Sequence, residues 1–459
     1  MTRTLSLVTL ATSMLAGAVV VLAAGGAAQT PPQVQQPSVV ELTISGEPGS
    51  PPRFAVPDFV ALSNDAETVS VAQTIGQVLW DDLAFEREFY LIPRDTYRSI
   101  PAARGIADVP FDRWRELGAD GVVVGTVQRT DTGIQVQVRL YNVRSRASVF
   151  AKEYTGSAAN PRLFAHTIAD EVHLQQRGLR GVARTKLTFS SDRDGLRLQG
   201  PIANRDIKEI YIADYDGANQ RRVTVNRALN IFPVWSADGR SIAYTSYRRG
   251  YPDIYISNIF QGTLETPAGG TDRVHNWLSA WSPDGSRIAF TTNRDGNPEI
   301  YVMNRDGSGL RRLTNHPAID STPTWSPAGN EVAFTSDRTG APQIYVVSAD
   351  GVGSPRRVSE GGYADRPTWA PAPFNEIAYA LRTGPGYDIE IYDVASRERR
   401  RITFGEGSNE SPAYSPNGRH LAFTSTRRGR VQVFTIGRDG RGLRQVTTQG
   451  NNYTPNWSQ

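Results

Sequence analysis

The five histidines, His166, His173, His275, His316 and His420, are the first residues to test for chemistry. None belongs to a His-Glu-x-x-His pair, so the helix-borne zinc pattern of metallopeptidases is missing. His166 and His173 stand seven apart and can share one helix face, but two imidazoles do not close a zinc shell. The chain has no cysteine, which removes disulfides, thiolate metal sites and a thiol nucleophile. There is no Gly-x-Ser-x-Gly nucleophile elbow and no Gly-x-x-x-x-Gly-Lys-Ser/Thr phosphate loop. Gly121 and Gly125 lie inside a strand-like run, which is no place for a phosphate cradle. The expectation is a protein without catalytic residues, bound metal or cofactor, one that is not an enzyme. Channel-facing acids could still hold Ca²⁺, whose geometry a sequence does not give.

The net charge is +4, and only Lys152, Lys186 and Lys208 are lysines, so the basic character is arginine. That balance is too mild for a nucleic-acid binder. Arginine pairs recur at Arg221-Arg222, Arg311-Arg312, Arg356-Arg357 and Arg400-Arg401. They read as charges guarding exposed strand edges, or as a basic rim facing an anionic membrane.

What positions these residues is a repeat. Trp281-Ser-Pro-Asp-Gly-Ser-Arg-Ile-Ala-Phe-Thr-Thr292 has counterparts beginning at Trp235, Trp325, Trp369, Tyr414 and Trp457. The steps are 46, 44, 44, 45 and 43 residues. Within one copy, Asp284-Gly285 is a tight turn and Ile288-Ala-Phe290 a strand. A second turn at Asn293-Arg-Asp-Gly296 leads to the strand Glu299-Ile-Tyr-Val302. Asp306-Gly307 and Arg311-Arg-Leu-Thr314 complete four strands. A period of this length built of four strands is a β-propeller blade. Lys186-Leu-Thr-Phe189 opens a blade that lacks its inner strand, and Trp457 is an inner strand that lacks its blade. Joining the two closes a ring of six blades over residues 185–459. The periodic aromatics read as packing between blades, with sugar stacking as the alternative. The segments just before each Trp strand vary most, so they are expected to be loops clustered on one face around the channel. Trp277 is aromatic where the other copies are mostly small or polar.

Ahead of the repeats, residues 1–28 read as a secretory signal peptide: Arg3, an apolar small-residue run, then Gly26-Ala27-Ala28. Residues 29–52 form a flexible Pro/Gln-rich segment containing Val39-Val-Glu-Leu-Thr-Ile44. That patch is either the first strand of the following domain or a peptide that adds to a partner's sheet. Residues 53–178 read as a small α/β domain, with a helix over 70–85, a short helix at 111–117 and a last helix at 161–175. Gly121-Val-Val-Val-Gly-Thr-Val127 fits a strand buried on both faces. Residues 179–184 are a polar linker, across which mobile domains are the default. The predicted fold class is thus a small N-terminal α/β domain followed by an all-β six-bladed propeller.

This order, with a signal peptide, a short strand, an α/β domain and six Trp-Ser-Pro-Asp-Gly blades, resembles the TolB family of the periplasmic Tol–Pal system. Phe54-Ala-Val-Pro-Asp-Phe59 is similar to the family's strand near the mature N-terminus. The longer Gln/Pro tail before Val39 and the tryptophan at 277 depart from the family pattern. The resemblance implies a monomeric, non-enzymatic adaptor in the periplasm, peripheral to the outer membrane through its partner. The propeller face away from the α/β domain would dock the lipoprotein Pal, through His275, Asn276, Trp277, Leu278, Asp320 and Ser321. The mature N-terminus, at Val40, Glu41, Leu42, Thr43 and Ile44, would engage TolA. It further implies a part in outer-membrane integrity and in envelope constriction at cell division. A contrasting reading from the fold alone is a propeller enzyme, or accessory subunit, acting on envelope sugars or peptides. Convergent acids in the channel would favour it.

Overall fold

In the computed structural model, residues 50–101, 103–197 and 206–459 are described. The expected signal peptide over 1–28 and the segment Val40 to Ile44 lie outside the described residues. Among the described residues no helix is long and apolar enough to cross a membrane.

The N-terminal sheet has strands β1 (Arg53–Ala55), β2 (Val60–Ala61), β3 (Tyr90–Leu91), β4 (Gly121–Thr130), β5 (Gly133–Asn142) and β6 (Ser148–Gly156). Their order is β3-β1-β4-β5-β6, with β2 also on β4. Pro57 lies between β1 and β2. It has no amide hydrogen to give to a ladder, and the expected strand over 54–59 ends at Ala55, with β2 starting only after it. Helices α1 (Ala66–Glu86) and α3 (Pro161–Arg177) cover one face of the sheet. Asp65 caps α1 by accepting from the Thr68 amide at 2.9 Å, which starts the helix earlier than its apolar periodicity implies. The short helix α2 (Phe111–Glu116) covers the other face through Trp114. As the apolar run implied, β4 is buried on both faces: Val123 and Val127 face one core, Val122 and Val124 the other. Gly121 and Gly125 are needed there, because a Cβ would stand 2.7 Å from the Phe54 ring and 2.1 Å from the Phe59 ring.

The repeats form six four-stranded antiparallel sheets. In the second to sixth blades the strands run in chain order from the axis outward. In the first, the inner strand is Asn452–Trp457, paired with Lys186–Ser191. The ring is therefore closed by the C-terminal strand, with Trp457 opposite Leu187. The Arg-Arg pairs lie on the outermost strands. Arg222, Arg312, Arg356 and Arg400 each meet a carboxylate, on Asp194, Glu299, Glu331 and Glu376. Charge placed on an unpaired edge in this way discourages edge-to-edge pairing.

Two expectations require correction. The variable segments before each Trp are not loops: they are the first half of the inner strand, as in Asn276–Trp281 and Asp320–Trp325. Each inner strand carries a bulge whose residue takes a left-handed φ: Phe232 (55°), Leu278 (57°), Thr322 (50°), Arg366 (56°), Ser411 (55°) and Thr454 (49°). The bulge re-aims the side chains of a strand that would otherwise simply alternate. Nor is the linker loosely packed. Val182 and Ala183 are buried, and their amides donate to Glu86 Oε1 and Asp170 Oδ1, both at 2.9 Å. Buried carboxylates that accept main-chain bonds fix the path of the chain, which polarity of composition alone did not suggest.

Candidate functional site: two ends of the ring

In the second to sixth blades the turn joining the first strand to the second and the turn joining the third to the fourth fall at the same end of the ring, and the outer turn of the first blade falls there too. The α/β domain docks at this end. Asn417, in the first such turn of the sixth blade, donates to the Arg180 carbonyl at 3.1 Å. Asp216, in the outer turn of the first blade, pairs with Arg162 of α3. The junction is buried and polar. His166 Nδ1 lies 2.8 Å from Asp82 Oδ2, and the Tyr215 hydroxyl donates to Asp82 Oδ1 at 2.7 Å. Asp214 gathers Lys186, Arg162 and His166 around one carboxylate. A second cluster sets His420 Nε2 3.1 Å from Glu86 Oε2, and Arg419 on Glu88. Phe85 stacks on His420, ring centres 4.4 Å apart, and lies beside Tyr215.

The charges in this junction follow from their partners. Burial pulls the His166 imidazole down, but the Asp214 carboxylate 3.7 Å from its Nε2 and the hydrogen bond to Asp82 outweigh it and hold the group up at about 9. Burial raises Asp214, yet the neighbouring His166 ring and the bond from Lys186 leave it well below the usual carboxylate range. Burial pushes Asp82 up. His166 of α3, set between Asp82 of α1 and Asp214 of the first blade, joins the two parts of the molecule. His166 and His173 do share the buried face of α3, and His173 Nδ1 lies 3.0 Å from the Ala169 carbonyl. Among the described residues no group of three or more His, Asp or Glu is placed to hold a metal ion.

The opposite end of the ring carries the loops that lead into the inner strands, and with them the six residues named as a partner surface. The structure separates these six. His275, Trp277, Leu278 and Ser321 are half-buried, and the His275 and Trp277 rings lie 6.5 Å apart. Asn276 and Asp320 are wholly buried. Asn276 Nδ2 donates to Asp253 at 3.0 Å and its Oδ1 accepts from Arg294. Asp320 accepts from Arg338 at 2.8 Å. They hold the frame of the face; a partner cannot touch them as it stands.

This pairing recurs and was missed in the sequence. Arg193, Arg294, Arg338 and Arg427 each bond the first residue of an inner strand, namely Asn452, Asn276, Asp320 and Asn409. Each also lies over the aromatic pair of its blade, Arg338 at 5.4 Å from the Phe334 ring and 4.8 Å from Tyr345. The signal was present as Ser/Thr-x-Arg at one place in those blades: Ser191-Asp-Arg193, Thr292-Asn-Arg294, Ser336-Asp-Arg338 and Ser425-Thr-Arg427. Exposed apolar side chains also collect at this end on loops between blades: Val225 (67% exposed), Ile319 (50%) and Phe404 (71%). Along the axis runs a chamber of about 320 Å³ lined by the Trp-motif strands, and none of its lining side chains is an Asp or Glu.

The architecture defines a class of protein: a closed six-bladed propeller with an α/β domain fixed to one end and an apolar-studded rim at the other. Residues 177–374 and 361–459 match the family model described as the TolB beta propeller domain, and residues 40–149 that of the TolB amino-terminal domain. The chain belongs to the TolB family. A Tol-Pal system protein TolB of Desulfosudis oleivorans is 35% identical over 220 residues, 47% of this chain and 48% of that one. One from Anaeromyxobacter dehalogenans is 34% identical over 312 residues, 68% and 66% of the two chains. The match thus spans about half the length of the first of these relatives and about two thirds of the second. The crystal structure of TolB from Acinetobacter baumannii superposes with a TM-score of 0.75 at 26% identity, covering 89% of this chain and 96% of that one.

Proposed function

We propose that the protein is a non-enzymatic periplasmic adaptor of the Tol–Pal system. Its rim opposite the α/β domain docks a Pal-type lipoprotein, and the segment Val40 to Ile44 engages a TolA-type partner. Through these contacts it supports outer-membrane integrity and constriction of the envelope at division. The observation that carries the reading is the far rim itself. Half-buried Trp277 and exposed Ile319 and Phe404 stand there on or beside strands fixed by the buried Arg–Asn and Arg–Asp bonds. Exposed apolar groups on a rigid frame favour protein docking, since the frame pays little ordering entropy on binding. Family membership supports the same reading, because its relatives bear the name of the Tol–Pal system. The chamber lining, with no acidic side chain, speaks against an acid-catalysed sugar chemistry within it. A pull-down from envelope extract with the mature chain as bait tests the proposal. Recovery of a peptidoglycan-associated lipoprotein supports it. Recovery of sugar or peptide turnover without any protein partner overturns it.

A further inference from the structure

One arginine on the outer edge of the propeller lacks the carboxylates that its counterparts hold. Arg222, Arg312, Arg357 and Gln445 occupy one place in the outermost strands of the first, third, fourth and sixth blades, opposite Tyr211, Tyr301, Tyr345 and Phe434. In the third blade Arg312 Nε donates to the Thr314 carbonyl at 2.7 Å, which turns the two terminal nitrogens toward acids. Nη1 donates to Asp295 Oδ2 at 3.0 Å and Nη2 to Glu299 Oε1 at 2.9 Å. In the first blade Arg222 pairs with Asp194 at 3.0 Å. In the fourth, Arg357 Nε donates to the Ser359 carbonyl at 2.8 Å in the same way. There, however, Thr339 stands in the place of Asp194 and Asp295, and Gln343 in the place of Glu209 and Glu299. The sixth blade drops cation and acid together, with Gln445 and Gln432. The fifth keeps Arg401 and an acid, Asp388. The fourth keeps the cation and has neither acid.

Arg357 lines an open cleft of about 420 Å³ between the fourth and fifth blades, at the end of the ring away from the α/β domain. Thr339, Gln343 and a second arginine, Arg382, line it too, and none of its lining side chains is an Asp or Glu. Both arginines are exposed. Arg382 Nε donates to the Gly384 carbonyl at 3.3 Å, and neither guanidinium is ion-paired among the described residues. The acids closest in the chain are engaged elsewhere. Glu360 pairs with Arg399 at 3.0 Å, Asp365 accepts from the Thr335 hydroxyl at 2.9 Å, and Glu410 accepts from Ser408 at 2.6 Å. Gln343 Nε2 donates to the Gly361 and Gly362 carbonyls, so two acceptors at the cleft are already engaged. Two like charges without a counter-charge on one cleft raise the local potential for an anion.

We infer that this cleft binds an acidic peptide segment. One of its carboxylates accepts from the terminal nitrogens of Arg357, which the third blade satisfies with its own side chains, and a neighbouring carboxylate reaches Arg382. A guanidinium offers two parallel donors that match a carboxylate, and such charge-assisted pairs are the strong ones. Two cations on separate blades select two acids on one chain over a single small anion. Gly361 and Gly362 are exposed and carry no side chain, so an extended segment can lie against the main chain there. Recognition of acidic motifs by clustered arginines is a recurring mode of peptide binding. The site stands on the comparison among blades and does not rest on the adaptor reading.

The test is a calorimetric titration of the mature chain with the blocked peptide acetyl-Gly-Asp-Glu-Asp-Gly-amide, and in parallel with its Asn-Gln-Asn analogue and with inorganic phosphate. The expected result is saturable binding of the acidic peptide to one site, at least tenfold tighter than the neutral analogue or phosphate. Arg357→Gln, which copies Gln445 of the sixth blade, should weaken it at least tenfold. Thr339→Asp, which copies Asp295 of the third blade, supplies Arg357 with a carboxylate from within the chain. It should weaken the peptide several-fold without lowering the melting temperature. Arg222→Gln removes an arginine that already has its acid and should leave the affinity unchanged. Absence of saturable binding at millimolar concentration, equal affinity for the acidic and neutral peptides, displacement of the peptide by equimolar phosphate, or full affinity in Arg357→Gln would each overturn the proposal. Should Arg357→Gln fail to fold, the acidic-to-neutral ratio and Thr339→Asp decide it.

Discussion

Replacing Trp457 with alanine is the sharpest perturbation of the closed ring. The side chain is 3% exposed, its strand pairs Leu187 across the seam, and its indole N–H donates to Thr185 Oγ1 at 2.6 Å. Burying an aromatic of about 200 Å² at ~25 cal/mol per Å² gives roughly 5 kcal/mol, of which alanine retains a part. The lost hydrogen bond adds ~1 kcal/mol. Measured Trp-to-Ala losses in cores run ~3–5 kcal/mol, so about 4 kcal/mol is the expected cost. At ~2 °C per kcal/mol, the low end for large domains, the melting temperature should fall by about 8 °C. Differential scanning calorimetry of the mature chain reads this directly. Trp457→Phe, which keeps a ring at the seam, should recover more than half of the loss. Deleting residues 452–459 should cost more than either. A melting temperature for Trp457→Ala within 1 °C of the parent would refute closure by the C-terminal strand.

Further outcomes follow from the junction and the frame. His166 is held at about 9 against an ordinary 6.5, so its stabilising share is whole below pH ~6.5 and is lost as the pH rises through 9. That gap is worth at most about 3 kcal/mol, and the burial of Asp82 works against it. Denaturant titrations between pH 6.5 and 9.5 should show the parent losing stability more steeply than His166→Gln; parallel curves would remove His166 from the account. Asp214 is lowered, so its share is present above pH ~4 and lost in acid, which Asp214→Asn should flatten. Arg338→Ala leaves Asp320 buried without its cation and should cost ~3–5 kcal/mol in chemical denaturation, with a far smaller effect from the exposed Arg401→Ala. If the two partner surfaces are coupled, a saturating Pal-type ligand changes the affinity for a TolA-type ligand, and the reverse by the same factor. Equal affinities in calorimetric titrations with and without the other partner would leave two independent sites.

The propeller was legible because the Trp-Ser-Pro-Asp-Gly turn and the Ile-Ala-Phe strand recur at a nearly fixed step, and the seam followed from counting incomplete blades. The α/β domain was legible in kind but not at its edges. Asp65 starts α1 through a cap that apolar periodicity does not register, and the strand that reads as running to Phe59 stops at Ala55, ahead of Pro57. The far face was misread in one respect. Variation before Trp281 and Trp325 looked like loop variation, yet the left-handed bulges at Leu278 and Thr322 keep those residues within strands. Asn276 and Asp320 looked like surface groups because short polar residues usually are; their arginine partners lie 18 residues away and face inward only once the blade is folded. The junction was invisible. Asp82, His166 and Tyr215 come from three distant parts of the chain and share no spacing. The linker's polarity suggested mobility because the carboxylates that pin it, Glu86 and Asp170, lie outside it.

The adaptor reading rests on one surface, and one measurement reaches it most directly. Isothermal titration of the mature chain with the soluble domain of the peptidoglycan-associated lipoprotein from the same cell should give saturable one-to-one binding. Trp277→Ala should weaken that binding at least tenfold while leaving the melting temperature unchanged, and His166→Gln at the other end should leave the affinity unchanged. Absence of binding, or binding indifferent to Trp277, Ile319 and Phe404 together, would contradict docking at the far rim.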